Sequence, residues 1–76
     1  MSTMLGSRIR QARREARLSQ SELGRKITAH VTSVSDWERG IHEPGIRHLT
    51  SIARETGKPL DWFVEARAPF LDGAAA

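Results

Sequence analysis

Residues 19–40 read SQSELGRKITAHVTSVSDWERG, and their pattern predicts two short helices that meet at a sharp turn. Ser19 is followed three residues later by Glu22, the spacing at which two side chains cap each other's backbone at the start of a helix. A helix is therefore expected from about Gln20. Gly24 stands near its middle, where the lack of a side chain lets a second helix backbone approach closely.

The second helix of the pair is expected over about residues 30–39, after a turn at Thr28 and Ala29. Gly40 follows it as the left-handed residue that ends a helix. Its core face is formed by residues at helical spacing: Val34, Trp37 and Glu38. The stretch as a whole predicts a helix-turn-helix.

Several residues of this stretch fall in one recognisable register: Leu18, Ser19, Gln20, Leu23, Val34, Ser35, Trp37, Glu38 and Gly40. In this register the chain resembles the phage Cro and repressor-type proteins, the XRE family, whose pattern runs L-S-Q-x-x-L-A-x-x-L-G-V-S-x-x-x-I-S-x-W-E-x-G. The likeness continues through Pro44, Leu49, Ala53, Gly57, Leu60, Asp61 and Trp62. Two departures from the pattern matter. Gly24 replaces an Ala, and Thr28 replaces the turn Gly, where a β-branched residue is poorly suited to a positive φ.

The size and composition of the chain predict one small domain. With 76 residues and no cysteine, it would bury only about 60% of its unfolded surface and must be stabilised by packing alone. No signal-peptide pattern and no run near the roughly 18 apolar residues of a membrane span is present, so we expect no membrane association. The expected location is cytoplasmic, on the nucleoid.

The remaining apolar periodicity completes an all-α fold. Core stripes at helical spacing predict a first helix, a fourth over about 46–56 and a fifth over about 60–66. The predicted stripe of the fifth helix consists of Leu60, Phe63 and Val64. The resemblance implies a compact five-helix bundle of the phage-repressor DNA-binding type, with the helix-turn-helix at helices 2 and 3. We expect this domain over residues 1–67 and a flexible tail over residues 68–76.

Arginine side chains crowd the first helix, although the net charge of the chain is only +3. Arg13 lies at the edge of the apolar stripe and needs a partner, since an unpaired buried guanidinium is very costly, and Glu38 is the acid that the core face offers. The resemblance implies the same ion pair. Arg10 and Arg14 lie on the opposite face, where they are either solvated or in contact with DNA phosphate.

The resemblance implies a binding site for double-stranded DNA. A helix in the major groove presents short polar or methyl-bearing side chains from its N-terminal half. The residues expected to read bases are Val31, Thr32 and Asp36, with Ser33 and Ser35 nearer the backbone or the groove wall. Asp36 either accepts from cytosine or belongs to a solvated face. Besides Arg10 and Arg14, the expected phosphate contacts are Gln20, His30, Arg39 and His42.

Other chemistry finds little support in the sequence. The histidines have no metal-binding spacing, and no nucleophile elbow or glycine-rich phosphate loop is present, so we expect no metal, no cofactor and no catalysis.

The C-terminal part suggests protein contacts. Trp62 lies off the apolar stripe of the fifth helix, where it either covers the edge of the core or contacts a second copy of the chain. We expect a homodimer, with these residues at the interface: Trp62, Phe63, Phe70 and Leu71.

The expected function is a sequence-specific transcriptional regulator, a repressor that binds a pseudo-palindromic operator as a homodimer. Two alternatives stay open. One is an antitoxin or DNA-tethering subunit whose tail binds a protein partner through Phe70 and Leu71. The other is a protein-interaction adaptor that has lost DNA binding, which Asp36 and Glu43 would favour.

Overall fold

A computed structural model describes residues 4–67 of the chain as five α-helices, with no strand in that range. The helices are α1 (Met4–Glu15), α2 (Gln20–Ile27), α3 (Val31–Arg39), α4 (Ile46–Thr56) and α5 (Leu60–Arg67). The predicted all-α class and five-helix order are therefore confirmed. Phe70 and Leu71 lie outside the described residues.

One apolar core joins all five helices. Its buried members are Leu5, Ile9, Ala12, Leu23, Ile27, Val34, Trp37, Leu49, Ile52, Ala53, Phe63 and Ala66. Helix α3 packs against both α1 and α2, and α5 packs against α1 and α4. Helix α1 thus packs against the helix-turn-helix on its core side, and α3 keeps one face free of the core.

The start of α2 is the capping box that the sequence predicts. The Ser19 hydroxyl accepts from the backbone N–H of Glu22 at 3.0 Å, and the Glu22 carboxylate accepts from the backbone N–H of Ser19 at 2.8 Å. These bonds satisfy backbone donors that have no acceptor within the helix. They also hold the pKa of Glu22 below its ordinary value, with the Ser19 backbone N–H as the main cause.

The turn after α2 keeps a left-handed residue although glycine is absent from it. Thr28 ends α2 with φ 59° and ψ 50°. A β-branched residue is disfavoured in this conformation because its Cβ crowds the backbone. Thr28 therefore adopts the left-handed conformation at the position where the family pattern has glycine, at a cost in strain.

Two glycines allow close approaches between backbones. A Cβ on Gly24 would lie 2.6 Å from the carbonyl oxygen of Ala29, in the turn before α3. A Cβ on Gly6 would lie 2.6 Å from the carbonyl oxygen of Glu38, where α1 crosses the end of α3. Only glycine fits these contacts as they stand. The sequence predicted the approach at Gly24 but not the one at Gly6.

The core face of α5 differs from the predicted stripe. Phe63 is fully buried and Ala66 is nearly so, whereas Val64 is 37% exposed. Residues three positions apart share a face of a helix, and the face that meets α1 and α4 contains 63 and 66 rather than 64.

Candidate nucleic-acid interface

The carboxylate of Glu38 lies at the centre of the contacts between the first three helices. It projects from the buried face of α3 and is fully inaccessible to solvent. Arg13 of α1 donates to it twice, from Nε to Oε2 at 2.6 Å and from Nη2 to Oε1 at 3.0 Å. The structure thus brings Arg13 and Glu38 together. A two-pronged contact of this kind satisfies both charge and hydrogen-bond geometry in a buried setting.

Two further donors reach the same carboxylate. Arg10 Nε lies 3.4 Å from Glu38 Oε1, and the Gln20 amide nitrogen donates to the same oxygen at 3.1 Å. We call Arg10, Arg13, Gln20 and Glu38 the Glu38 cluster. Its size was missed in the sequence, where only one pair was predicted. The sequence did contain a signal for the larger cluster. Arg10 and Arg13 stand one helical turn apart, so both can reach one carboxylate, and a carboxylate can accept about four hydrogen bonds.

The cluster keeps Glu38 ionised. Burial by itself raises the pKa of this carboxyl, but the hydrogen bonds from Arg13, Gln20 and Arg10 outweigh burial and hold the pKa below its ordinary value. Within residues 4–67, no buried side-chain nitrogen or oxygen lacks a hydrogen-bond partner. The charge at the centre of the helix-turn-helix is therefore fully compensated.

The sequence predicted Arg10 on the face of α1 opposite the core stripe, either solvated or in contact with phosphate, whereas the structure brings it to Glu38. The Arg10 side chain is 39% exposed, against 11% for Arg13, so Arg10 lies at the outer side of the cluster. The correction arises because α1 packs directly on α3, which brings the edge of the α1 stripe over Glu38. Arg14, in contrast, is exposed as expected.

The N-terminal half of α3 presents the expected short side chains. Val31 and Thr32 are exposed, whereas Ser33, Ser35 and Asp36 are half-buried. His30 lies just before the helix, where its Nδ1 accepts from the backbone N–H of Thr32 at 3.3 Å. His30 is therefore the N-cap of α3, a role that the sequence analysis did not assign to it.

The acid on the outer face of α3 lies near a base. Asp36 Oδ1 is 3.9 Å from Nη2 of Arg39, one helical turn further along. That separation is too long for a hydrogen bond, but the two charges offset each other. Arg39 remains more than half exposed at 57%. His42 is exposed in the loop that follows α3.

The proposed dimer residues of α5 are separated by the structure. Phe63 lies in the core with no exposed surface, so the prediction that it contacts a second copy is wrong for the folded chain. Trp62 is half-buried against the core edge, with Arg8 Cζ 5.1 Å and Lys58 Nζ 5.0 Å from its ring centroid. Arg8 also donates to the Trp62 carbonyl and lies 3.3 Å from Glu65. Trp62 therefore covers the core edge, which was the other interpretation of this residue.

Other kinds of site are weakly represented in the described part of the chain. Residues 4–67 contain no group of three potential metal ligands that could hold an ion. None of the helices described is long and apolar enough to cross a membrane. A groove of about 690 Å³ lies between the end of α2 and the start of α4, lined by Ile27, Thr28, Gly45, Ile46, Arg47, His48 and Ser51. These residues include no paired nucleophile and base.

The same arrangement of helices occurs in proteins of known structure. A helix-turn-helix family profile matches residues 9–63, while no curated protein sequence matches the chain. The DNA-binding domain of the P22 C2 repressor is 25% identical, with 84% of each chain covered and a TM-score of 0.76. The N-terminal DNA-binding domain of SinR from Bacillus subtilis is 29% identical over 80% of this chain and 90% of that domain, with a TM-score of 0.75.

A third similar structure comes from a larger protein. PlcR from Bacillus thuringiensis, in complex with the peptide PapR7 and DNA, is 32% identical over 86% of this chain, with a TM-score of 0.78. Only 23% of PlcR is covered, so the likeness concerns one part of that protein.

Proposed function

Because the chain belongs to the helix-turn-helix family of DNA-binding regulators, we propose that it recognises a specific double-stranded DNA sequence and acts as a transcriptional repressor. The observation that carries the proposal is the two-sided character of α3. One side, with Val34, Trp37 and Glu38, is buried against α1 and α2. The other side presents Val31 and Thr32 to solvent at the N-terminal end of the helix.

The exposed residues of α3 have the chemistry needed to read bases. The methyl groups of Val31 and Thr32 suit the C5 methyl of thymine, and the Thr32 hydroxyl can donate or accept a hydrogen bond. The half-buried Ser33, Ser35 and Asp36 follow along the helix, with Asp36 as an acceptor for the cytosine amine. The partial offset of its charge by Arg39 makes an acid on this surface less repulsive to DNA.

Phosphate contacts would position this helix. Gln20 and Arg10 lie at the outer side of the Glu38 cluster, while Arg14, His30, Arg39 and His42 are exposed. Such contacts supply affinity without sequence information. The similarity to the P22 c2 repressor, whose structure with a synthetic operator is known, supports this mode of binding.

A DNA sequence that the protein binds is first selected from random DNA. A pair of variants then tests the proposal. Thr32→Ala should weaken binding to the selected sequence by about 1–3 kcal/mol at one or two base pairs, with little effect on random DNA. Arg39→Ala should weaken binding to both DNAs alike and reduce the salt slope by about one. If Thr32→Ala changes both DNAs by the same factor, α3 is not the reading helix. If no DNA is bound at all, the adaptor function becomes the better explanation.

We also propose that the chain binds its operator as a homodimer. The core of the described residues is small, and Ile41, Ile46 and Val64 leave apolar surface exposed at 51%, 56% and 37%. A two-fold dimer would place two copies of α3 on DNA about 34 Å apart, which favours a pseudo-palindromic site. Sedimentation of the protein with its selected DNA measures the number of chains bound per duplex. One chain per duplex at saturation would refute the dimer.

A further inference from the structure

We propose that Glu38 is a positioning residue for DNA binding, because its buried carboxylate holds Arg10 and Gln20 in the arrangement in which both contact DNA phosphate. The inference rests on the proposed DNA-binding function. It extends that function by giving a role to an acidic residue that never touches the DNA.

The first observation is that the carboxylate has more partners than its burial requires. Arg13 alone makes two hydrogen bonds to Glu38, at 2.6 and 3.0 Å, and neutralises its charge. Arg10 and Gln20 are added to a pair that is already complete. Arg13 is 11% exposed and Arg10 is 39% exposed, so the added partner is the one that faces outward.

The second observation is that the added partners keep donors for another acceptor. Arg10 reaches Glu38 through Nε alone, so the cluster does not use its two Nη groups. Gln20 uses its amide nitrogen once, and that nitrogen carries two N–H bonds. Two guanidinium groups face one carboxylate, so the cluster as a whole keeps a net positive charge. The outer side of the cluster is therefore attractive to a phosphate oxygen.

Holding Arg10 and Gln20 in place also limits the side-chain freedom that they lose when DNA binds. Arginine and glutamine side chains lose much rotamer freedom when they bind a ligand. A free glutamine amide also presents its oxygen as readily as its nitrogen, and only the nitrogen can donate to phosphate. Glu38 accepts and cannot donate, so it selects the nitrogen end of Gln20 before DNA arrives. Such preorganisation strengthens binding without adding a contact.

A double-mutant cycle on random DNA tests the inference. In the otherwise unchanged chain, Gln20→Ala should weaken binding about tenfold, as expected for a hydrogen bond to a charged oxygen. In the Glu38→Gln background the same change should cost no more than about twofold, because the amide that replaces the carboxylate can donate as well as accept and no longer selects the nitrogen end of Gln20. Glu38→Gln alone should weaken binding, although it removes a negative charge from a DNA-binding protein.

The salt dependence supplies an independent readout. Arg10→Ala should make the plot of log affinity against log salt shallower by about one unit of slope, and Glu38→Gln should make it shallower by a similar amount. The combination of the two should reduce this slope no further. Loss of stability alone would leave this slope unchanged.

Two additional variants separate positioning from folding. Ile52 lies in the core on α4, so Ile52→Val serves as a control for stability. It should lower the free energy of unfolding while leaving DNA affinity and its salt dependence unchanged. Glu38→Asp keeps the net charge but shortens the side chain, so it should weaken DNA binding because the carboxylate no longer reaches Arg10 and Gln20. Each affinity is measured at a temperature where circular dichroism shows the variant to be folded.

The outcomes are distinct. If the unchanged chain binds no DNA, the proposed function fails and the inference fails with it. If the chain binds DNA but Gln20→Ala costs the same in both backgrounds, or Glu38→Gln strengthens binding, DNA binding stands and the positioning role is refuted.

Discussion

Gly24 and Thr28 together offer a sharp test of how the turn of the helix-turn-helix is built. Both residues depart from the family pattern, in which the first position is Ala and the second is Gly. In the structure, a Cβ on Gly24 would lie 2.6 Å from the carbonyl oxygen of Ala29, while Thr28 has a φ of 59°. We predict that the two departures are coupled. The strained Thr28 holds Ala29 in a position that only a glycine at 24 tolerates.

The magnitudes follow from these geometries. Gly24→Ala overpacks a backbone contact, which costs about 1–3 kcal/mol, against a gain of up to about 1 kcal/mol in helix propensity. Thr28→Gly removes the strain of a left-handed threonine, which is about 1–2 kcal/mol. The greater entropy of glycine in the unfolded chain offsets about 0.5–1 kcal/mol of this gain in stability. The first change should therefore destabilise the fold, and the second should stabilise it slightly. In the double variant, the glycine introduced by Thr28→Gly lets the Ala29 carbonyl move, so Gly24→Ala should cost about 1 kcal/mol less than it does alone.

Urea unfolding of the four proteins, followed by far-ultraviolet circular dichroism, measures the coupling directly. Equal slopes of unfolding free energy against urea would show that the unfolded states are comparable. Additive effects of the two changes within about 0.4 kcal/mol would refute the coupling. Stabilisation by Gly24→Ala alone would show that the Ala29 carbonyl moves freely even with Thr28 in place.

Three further predictions concern stability. Gly6→Ala should destabilise the fold by about 1–3 kcal/mol in urea unfolding, since its Cβ would lie 2.6 Å from the Glu38 carbonyl oxygen, whereas exposed Ser7→Ala on the same helix should change stability by less than about 0.5 kcal/mol. Glu38→Ala should cost about 3 kcal/mol by leaving Arg13 unpaired, and a loss well under about 1 kcal/mol would show that the pair behaves like one at the surface. The pKa of Glu38 is lowered in the folded state, so its stabilisation should be complete above the unfolded pKa and should disappear as the pH falls through the folded pKa. Between neutral and strongly acidic pH, the melting temperature of the unchanged chain should therefore fall more steeply than that of Glu38→Gln. Melting temperatures that fall in parallel for the two proteins would contradict this assignment.

Local patterns were sufficient to predict the helices and their ends. The capping box of Ser19 and Glu22 and the left-handed stops at Gly40 and Gly57 all appear where the sequence placed them. Each depends on residues within about four positions of one another, so the chain segment itself specifies the geometry. The resemblance to the repressor-type family is confirmed for the same reason, because its pattern consists of such local signals together with the α3 core face.

Only the tertiary structure decided how these helices meet. Periodicity placed Arg13 at the edge of the α1 stripe, in reach of Glu38, and Arg10 on the opposite face, whereas the packing of α1 on α3 brings Arg10 to Glu38 as well and Gln20 joins them. The packing of α5 likewise buries Phe63 and brings Trp62 to Arg8, although they are far apart in sequence. A helical pattern specifies which residues share a face, whereas the partner of that face depends on helix crossings and on the close approach that Gly6 permits. The sequence by itself therefore determined the helix-turn-helix and its helix ends, and the packing of the helices determined that Arg10 and Gln20 join Arg13 around Glu38.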